Sequence, residues 1–238
     1  MRLSRFFIDA PLSLGQHPLP DASAHYISRV LRLSAGSAVQ LFDGSGSEFR
    51  GELLEVGKKS VTVELHERLT GMPESPLQIH LGQGLSRGER MDWAIQKATE
   101  LGVTQITPIV SERCEVRLND ERADKRLAHW RQIAISACEQ CGRSVLPVIH
   151  PPISLRDWLP VEADLKLVLH PVAAPLTSHA RPQTLAFLIG PEGGLSESEV
   201  EQAANQGFQP AQLGPRVLRT ETAPVVALSV AQQLWGDF

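Results

Sequence analysis

The sequence predicts an α/β fold, a mostly parallel sheet covered by helices, preceded by a smaller β-rich unit. Three observations predict it. From residue 77 onward short apolar runs alternate with longer segments whose apolar residues recur at helical spacing, the pattern of strand and helix units. Before residue 71 the apolar runs are separated by turn residues, without a helical stripe between them. A chain of 238 residues that is 42% hydrophobic and 21% charged has a globular composition and the length of one large domain or two modest ones.

In the first part, Arg5 to Ile8, Val39 to Phe42, Phe49 to Val56 and Val61 to Leu65 read as strands. Asp43-Gly44-Ser45-Gly46 lies between two of them and reads as a hairpin turn, since no helical pattern follows to make it a phosphate loop. Gly71-Met72-Pro73-Glu74-Ser75-Pro76 breaks the pattern as a linker, which predicts domains over 1–71 and 72–238. Leu77 to Leu81 is then a strand. Met91, Ala94, Ile95, Ala98 and Leu101 form a helical stripe closed by Gly102, and Ile106 to Val110 is the next strand. Leu127, Trp130, Ala134, Ala137, Cys138 and Cys141 form a second stripe, followed by strands at Val145 to Ile149, Leu165 to Leu169 and Leu185 to Ile189. A capping box opens a helix at Ser196, and a last apolar helix runs through Val226, Val230 and Leu234.

Composition excludes several classes of function. No apolar run approaches a membrane span, and the opening residues do not read as a secretory signal, so a soluble cytoplasmic protein with no membrane partner is expected. Three cysteines, an odd number, argue against a disulfide framework. A net charge of −4 means that any contact with nucleic acid is local. Residues 1–70 carry eight basic and eight acidic side chains, residues 71–160 eleven of each, and residues 161–238 four basic against eight acidic, so the arginines lie early. With 5% aromatics and one tyrosine, extended stacking along single-stranded RNA is not expected.

Several motifs have plain structural explanations. Cys138-Glu139-Gln140-Cys141 has CxxC spacing, but no second pair accompanies it and both cysteines fall on an apolar stripe, which reads as core. The histidines make no metal-binding pattern. Gly82-Gln83-Gly84-Leu85-Ser86-Arg87-Gly88 stands between strand and helix with GxGxxxG spacing, a weak dinucleotide signal. An arginine-bearing loop with Arg87 and Arg90 suits a phosphate backbone equally. Two later segments are harder to explain so simply. Ile189-Gly190-Pro191-Glu192-Gly193-Gly194-Leu195 joins a buried strand to the capped helix, and Leu213-Gly214-Pro215-Arg216-Val217-Leu218-Arg219-Thr220-Glu221-Thr222-Ala223 leads into the last helix. Glycine lets backbone approach a ligand closely, and two such loops predict a pocket lined by backbone.

Together with Gln96-Lys97-Ala98-Thr99-Glu100-Leu101-Gly102 and Glu139-Gln140-Cys141-Gly142-Arg143, these loops strongly resemble the RsmE family, the ribosomal RNA small-subunit methyltransferases E of the SPOUT superfamily. Residues Arg2 to Phe7 and His25-Tyr26-Ile27-Ser28-Arg29-Val30-Leu31-Arg32 resemble that family's PUA-like RNA-binding domain, so the resemblance covers essentially the whole chain.

The resemblance implies a SPOUT-type C-terminal domain with a deep trefoil knot, a small N-terminal PUA-like β-barrel and a homodimer. It implies methyl transfer from S-adenosyl-L-methionine to N3 of a specific uridine of 16S rRNA within the small ribosomal subunit. A related knotted enzyme acting at another position or on ribose 2′-OH is the alternative. The two loops become the cofactor site, with Leu169, Ile189, Gly190, Glu192, Gly193, Gly194, Leu213, Gly214, Val217 and Leu218 as its expected residues. Uridine N3 must lose a proton to become nucleophilic. Arg219 and Arg143 are candidates to stabilise the anion, and Glu221 or Glu139 to accept the proton. Arg2, Arg5, Arg29 and Arg32, with Arg87 and Arg90, are the expected RNA contacts.

Overall fold

The computed structural model describes residues 3–57, 60–116 and 120–238. They fall into two compact units, Met1–Glu74 with Cys138–Leu146, and Ser75–Ala137 with Pro147–Phe238. A nine-residue stretch well beyond the linker thus belongs with the N-terminal unit.

That unit is built from β1 (Ser4–Phe7), β2 (Gly15–Pro18), α1 (Asp21–His25) continuing as one π-helical turn (Tyr26–Val30), β3 (Ala38–Phe42), β4 (Ser47–Val56) and β5 (Val61–Thr70). The strands form one sheet in the order β1-β3-β4-β5-β2, antiparallel except for the β1–β3 pair. Burial alternates along β3 to β5, so one face carries Val39, Leu41, Leu53, Val63 and Leu65 into a core closed by Ala24 and Ile27 of the helical turn. At the register shift in β4, Gly51 passes so close to the Glu64 carbonyl that a Cβ would collide with it. Asp43 to Gly46 forms the turn between β3 and β4, with Gly44 and Gly46 at φ +84° and +90°. The sequence pattern did not mark β2 or the helical turn, because neither carries an apolar period of its own.

Arg5 ties the segment 138–146 into this unit. Its guanidinium donates to Glu48 Oε1 at 2.5 Å, to the Cys138 carbonyl at 2.6 Å and to the Arg143 carbonyl at 2.8 Å, and lies 3.9 Å over the Phe42 ring. Glu48 also accepts from the Ser144 hydroxyl and the Gln40 amide. Arg5, expected to contact RNA, is instead held within the protein: its side chain is 10% exposed, and both terminal nitrogens of its guanidinium donate to protein oxygens. Arg2 lies outside the described residues.

The second unit contains β6 (Gln78–Gly84), α2 (Glu89–Glu100), β7 (Gln105–Val110), α3 (Asp120–Cys141, whose last residues count with the other unit), β8 (Val148–Ile149), β9 (Ile153–Ser154), α4 (Leu155–Trp158), β10 (Leu165–Pro175), a 3₁₀ turn (Leu176–Ser178), β11 (Thr184–Ile189), α5 (Glu197–Asn205), β12 (Gln209–Gln212) and α6 (Thr222–Trp235). Six strands run in the order β12-β10-β11-β6-β7-β8, every pair parallel, and β9 pairs with β7. Parallel strands are buried on both faces, and here alternate residues supply two cores. Leu165, Leu167, Leu185 and Phe187 pack with Ile95, Trp130 and Leu228, while Val168, Ala186 and Leu188 pack with Trp158, Ala203 and Phe208.

Gly82 and Gly84 lie inside β6 and not in a loop, which removes the dinucleotide reading. A Cβ on Gly82 would stand 2.5 Å from the Trp158 ring, and one on Gly84 would collide with the backbone of Gly190 and Pro191. These glycines are close-approach positions for other chain segments. No helix among the described residues is long and apolar enough to cross a membrane.

Candidate active site

A cleft of about 790 Å³ opens beside the middle of β10 and at the carboxyl end of β11, the kind of position where open parallel sheets bind ligands. Its walls come from Leu169, Ile189, the loop after β11 and the loop between β12 and α6. Both glycine-proline segments singled out in the sequence meet here.

The first loop is a turn in which the Gly194 N–H donates to the Pro191 carbonyl at 2.9 Å, with Gly194 at φ +69°, a conformation that disfavours a Cβ. It ends in the predicted capping box. The Ser196 side chain accepts from the Glu199 N–H at 3.3 Å, and Glu199 Oε2 accepts from the Ser196 N–H at 2.9 Å. The other oxygen of the buried Glu199 accepts from the Glu112 N–H at 2.7 Å, joining the loop after β7 to the start of α5.

The second loop is bound to the first through Thr220. Its hydroxyl donates to the Gly190 carbonyl at 2.9 Å and accepts from Gln83 Nε2 at 3.0 Å. Gln83, on β6, also donates to the Thr220 carbonyl at 3.3 Å. The Arg219 carbonyl accepts from the N–H groups of Thr222 and Ala223, both at 2.9 Å, which starts α6 and holds Arg219 and Glu221 at the cleft.

Of the residues predicted to hold the cofactor, Leu169, Ile189, Gly190, Glu192, Gly194, Leu213, Gly214, Val217 and Leu218 line this cleft. Gly193 does not; it faces outward, where its Cβ position would contact Arg113. Of the predicted catalytic residues, Arg219 and Glu221 line the cleft. Arg143 and Glu139 do not line it; both are engaged within the N-terminal unit. Arg143, 4% exposed, is paired with both carboxylate oxygens of Glu74. Glu139 accepts from the Phe7 N–H at 3.0 Å, and burial pushes its carboxyl above the usual range against the opposing pull of that bond and of Arg5.

Among the arginines predicted for RNA, Arg90 instead lines the cleft, where it donates to Glu192 at 2.8 Å and stands 4.0 Å from Glu221. Glu192 is partly desolvated, yet hydrogen bonds from its own backbone, Arg90 and the Arg87 N–H hold its carboxyl below the usual range. Arg87 is exposed and paired with Glu115, while Arg29 and Arg32 are exposed on the N-terminal unit. Sequence reasoning assigned no role to His170, Glu197, Arg216 or Thr220, all of which line the cleft. His170 was findable, because it follows directly on Leu169, the last residue of the strand expected from the sequence.

The fold and the cleft define an RNA methyltransferase. The RNA methyltransferase domain family matches residues 73–232, and the RNA methyltransferase PUA domain matches residues 19–65. Ribosomal RNA small subunit methyltransferase E of Buchnera aphidicola is 35% identical over 100% of this chain and 96% of its own length, and that of Bacillus subtilis is 34% identical over 86% and 85%. The crystal structure of the Neisseria gonorrhoeae ribosomal RNA small subunit methyltransferase E bound to S-adenosyl methionine is 42% identical, covers 100% of both chains and superposes with a TM-score of 0.93. The chain belongs to the ribosomal RNA small subunit methyltransferase E family.

Proposed function

We propose that this protein methylates N3 of one uridine in 16S rRNA of the small ribosomal subunit, using S-adenosyl-L-methionine bound in the cleft between the two glycine-proline loops. The observation that carries the reading is the cleft itself, in which apolar walls and backbone meet Arg219 and Glu221 on a single loop, with Arg90, Arg216, Glu192 and Glu197 also in the lining. The residues fit the cofactor. Leu169, Ile189, Leu213 and Leu218 offer apolar surface to an adenine, the glycine-rich backbone offers amides and carbonyls to its edge, and Glu192, Glu197 and Glu221 suit a cationic sulfonium. Bound there, the cofactor supplies a methyl group on a positively charged sulfur.

The protein's own work is to hold the uracil ring, remove the N3 proton and stabilise the charge left behind. Arg219 faces the developing negative charge on the uracil carbonyl oxygens, as donors do in an oxyanion hole. Glu221 accepts the N3 proton, and Arg90, 4.0 Å from it, orients that carboxylate. Arg29 and Arg32 take phosphates of the RNA. The family resemblance adds the trefoil knot, which agrees with one loop being pinned to the other by Thr220. It also adds the homodimer, supported by the outer face of α6, where Val226 and Val230 are half-buried and Leu234 is 38% exposed. The setting is cytoplasmic.

The test is mass spectrometry of nucleosides from 16S rRNA after small subunits are incubated with the protein and S-adenosylmethionine, with Gly194→Trp as control. N3-methyluridine formed by the native protein alone is the expected result. A 2′-O-methylated nucleoside would replace this reading by the ribose alternative, and failure to bind the cofactor would refute the assignment of the cleft.

A further inference from the structure

We infer that Tyr26 is a stacking platform for one unpaired nucleobase of the ribosomal RNA, with Arg29 and Arg32 taking the adjoining phosphates. The inference rests on the RNA-methylating function proposed above and names the contact that the N-terminal unit makes.

Four observations converge on this short segment. The tyrosine ring is 42% exposed, while its neighbours Ala24 and Ile27 are buried at 2% and 0%, so the turn is anchored from beneath. The ring meets the buried Phe6 edge to face, at 6.1 Å between centroids and 85° between planes, which fixes its orientation without covering it on the solvent side. The turn is a single π-helical one, in which the Leu31 N–H reaches back five residues to the Tyr26 carbonyl at 3.1 Å, and just beyond it the Leu33 N–H closes onto the Ile27 carbonyl at 3.1 Å. Such turns are uncommon and cluster at functional sites. Arg32, which follows, is the one non-glycine residue at positive φ, +53°, among those described. A strained backbone of this kind persists only where the surroundings hold it, and it turns the Arg32 side chain away from the course a helix would give it.

The chemistry of the patch selects its occupant. Val30 is 60% and Leu31 36% exposed, so an apolar surface surrounds the phenol ring. Arg29 and Arg32 make no ion pair among the described residues. An aromatic face flanked by two uncompensated guanidinium groups matches a base and its phosphates, since each base offers a π-face and each linkage a negative charge. A second copy of the chain would have to bury both guanidinium groups against themselves or find carboxylates for them, and Asp21 is the one acid on this helical segment. One tyrosine takes one base, so no extended stacked strand is implied.

The test uses the full chain and isolated small ribosomal subunits whose 16S rRNA lacks the modification, comparing native protein with Tyr26→Ala, Tyr26→Leu and Tyr26→Phe. Stacking on an aromatic contributes ~1–3 kcal/mol per base, so the alanine and leucine variants are expected to bind the subunit about 5- to 150-fold more weakly and to show a raised KM for it. The phenylalanine variant, which keeps the ring, should bind as the native protein does. Affinity for S-adenosylmethionine should not change. If leucine restores what alanine loses, the patch is merely apolar and the inference is overturned. It is equally overturned if all variants bind the subunit alike, or if alanine changes the oligomeric state and not RNA affinity. If the native protein binds subunits in a Tyr26-dependent way but transfers no methyl group, the functional reading fails while this contact stands.

Discussion

The hydroxyl of Thr220 donates to the carbonyl oxygen of Gly190 at 2.9 Å, and through this bond the two loops that form the cleft hold each other. The Thr220 hydroxyl oxygen in turn accepts from Nε2 of Gln83, a residue that is 1% exposed. Thr220→Val keeps the shape but leaves the half-buried Gly190 carbonyl and the buried Gln83 amide without this partner, at a cost of ~1–3 kcal/mol. We expect affinity for S-adenosylmethionine, measured by calorimetry, to fall about tenfold or more. Native affinity would mean that the loops are positioned by other contacts.

Two glycines of the site differ in what an added methyl group meets. At Gly84 the Cβ would strike the backbone of Gly190 and Pro191, which cannot move without displacing the first loop. At Gly194 nothing lies within 4 Å, and the obstacle is φ +69° alone. Gly84→Ala should therefore abolish cofactor binding and lower the melting temperature. Gly194→Ala should fold, with a penalty of ~1–2 kcal/mol from the left-handed conformation. Gly194→Asn should do better than alanine, because asparagine tolerates that conformation.

The catalytic candidates separate by location. Glu221→Gln and Arg219→Ala should each lower kcat by about 100-fold or more while the protein stays folded, as for loss of a proton acceptor or a charge-stabilising donor. Arg143→Ala should instead lower the melting temperature, because it strands Glu74 and opens a buried pair. Glu139→Gln removes a carboxylate that burial disfavours and keeps an acceptor for the Phe7 N–H. It should melt higher near neutral pH with methylation intact, and a loss of turnover there would return Glu139 to the list of proton acceptors.

The N-terminal arginines should divide in the same way. Removing Arg29 or Arg32 should reduce the slope of log K against log salt for RNA binding by ~0.7–0.9 each, the signature of one phosphate contact. Arg5→Ala should destabilise the unit by ~3–5 kcal/mol, since it leaves the Glu48 carboxylate buried without its partner. Circular dichroism melts and salt titrations of binding distinguish the two outcomes.

Acid should loosen the second unit through one half-buried pair of rings. His80 accepts from the Trp158 indole N–H at 3.2 Å and lies 2.8 Å from the Thr107 hydroxyl, with the His150 ring 5.4 Å away. Burial, and then the neighbouring His150, lowers its pKa from 6.5 to about 4. Above pH ~6.5 the imidazole is neutral in both folded and unfolded states, so this site leaves stability unchanged there. Between about 6.5 and 4 only the unfolded chain takes up the proton, so stability falls with falling pH, by ~3 kcal/mol in all. His80→Gln should flatten that part of the profile in urea titrations across the range.

Periodicity in the sequence was sufficient to place β6, α2, β7, β11 and α6 near their observed bounds, and the capping box placed the start of α5, whereas the first two turns of α3 and the second half of β10 were not marked. Each of these signals is local: a 3.6- or 2-residue period, a cap, a glycine where the chain must turn or approach. The two glycine-proline loops were legible for the same reason, because the constraint that selects glycine and proline acts on the backbone of the loop itself. β2 and β12, Gly15–Pro18 and Gln209–Gln212, carry no such period and exist because a neighbouring strand offers them hydrogen bonds. The partners of the charged residues were decided only in three dimensions. Arg5 and Arg29 look alike in sequence, yet one is buried against Glu48 and the Cys138 carbonyl, 43 and 133 residues away, and the other stands in solvent. A guanidinium group has no preference for phosphate over carboxylate or carbonyl that its neighbours in sequence could reveal; the fold chooses its partner, and the partner determines what the residue does.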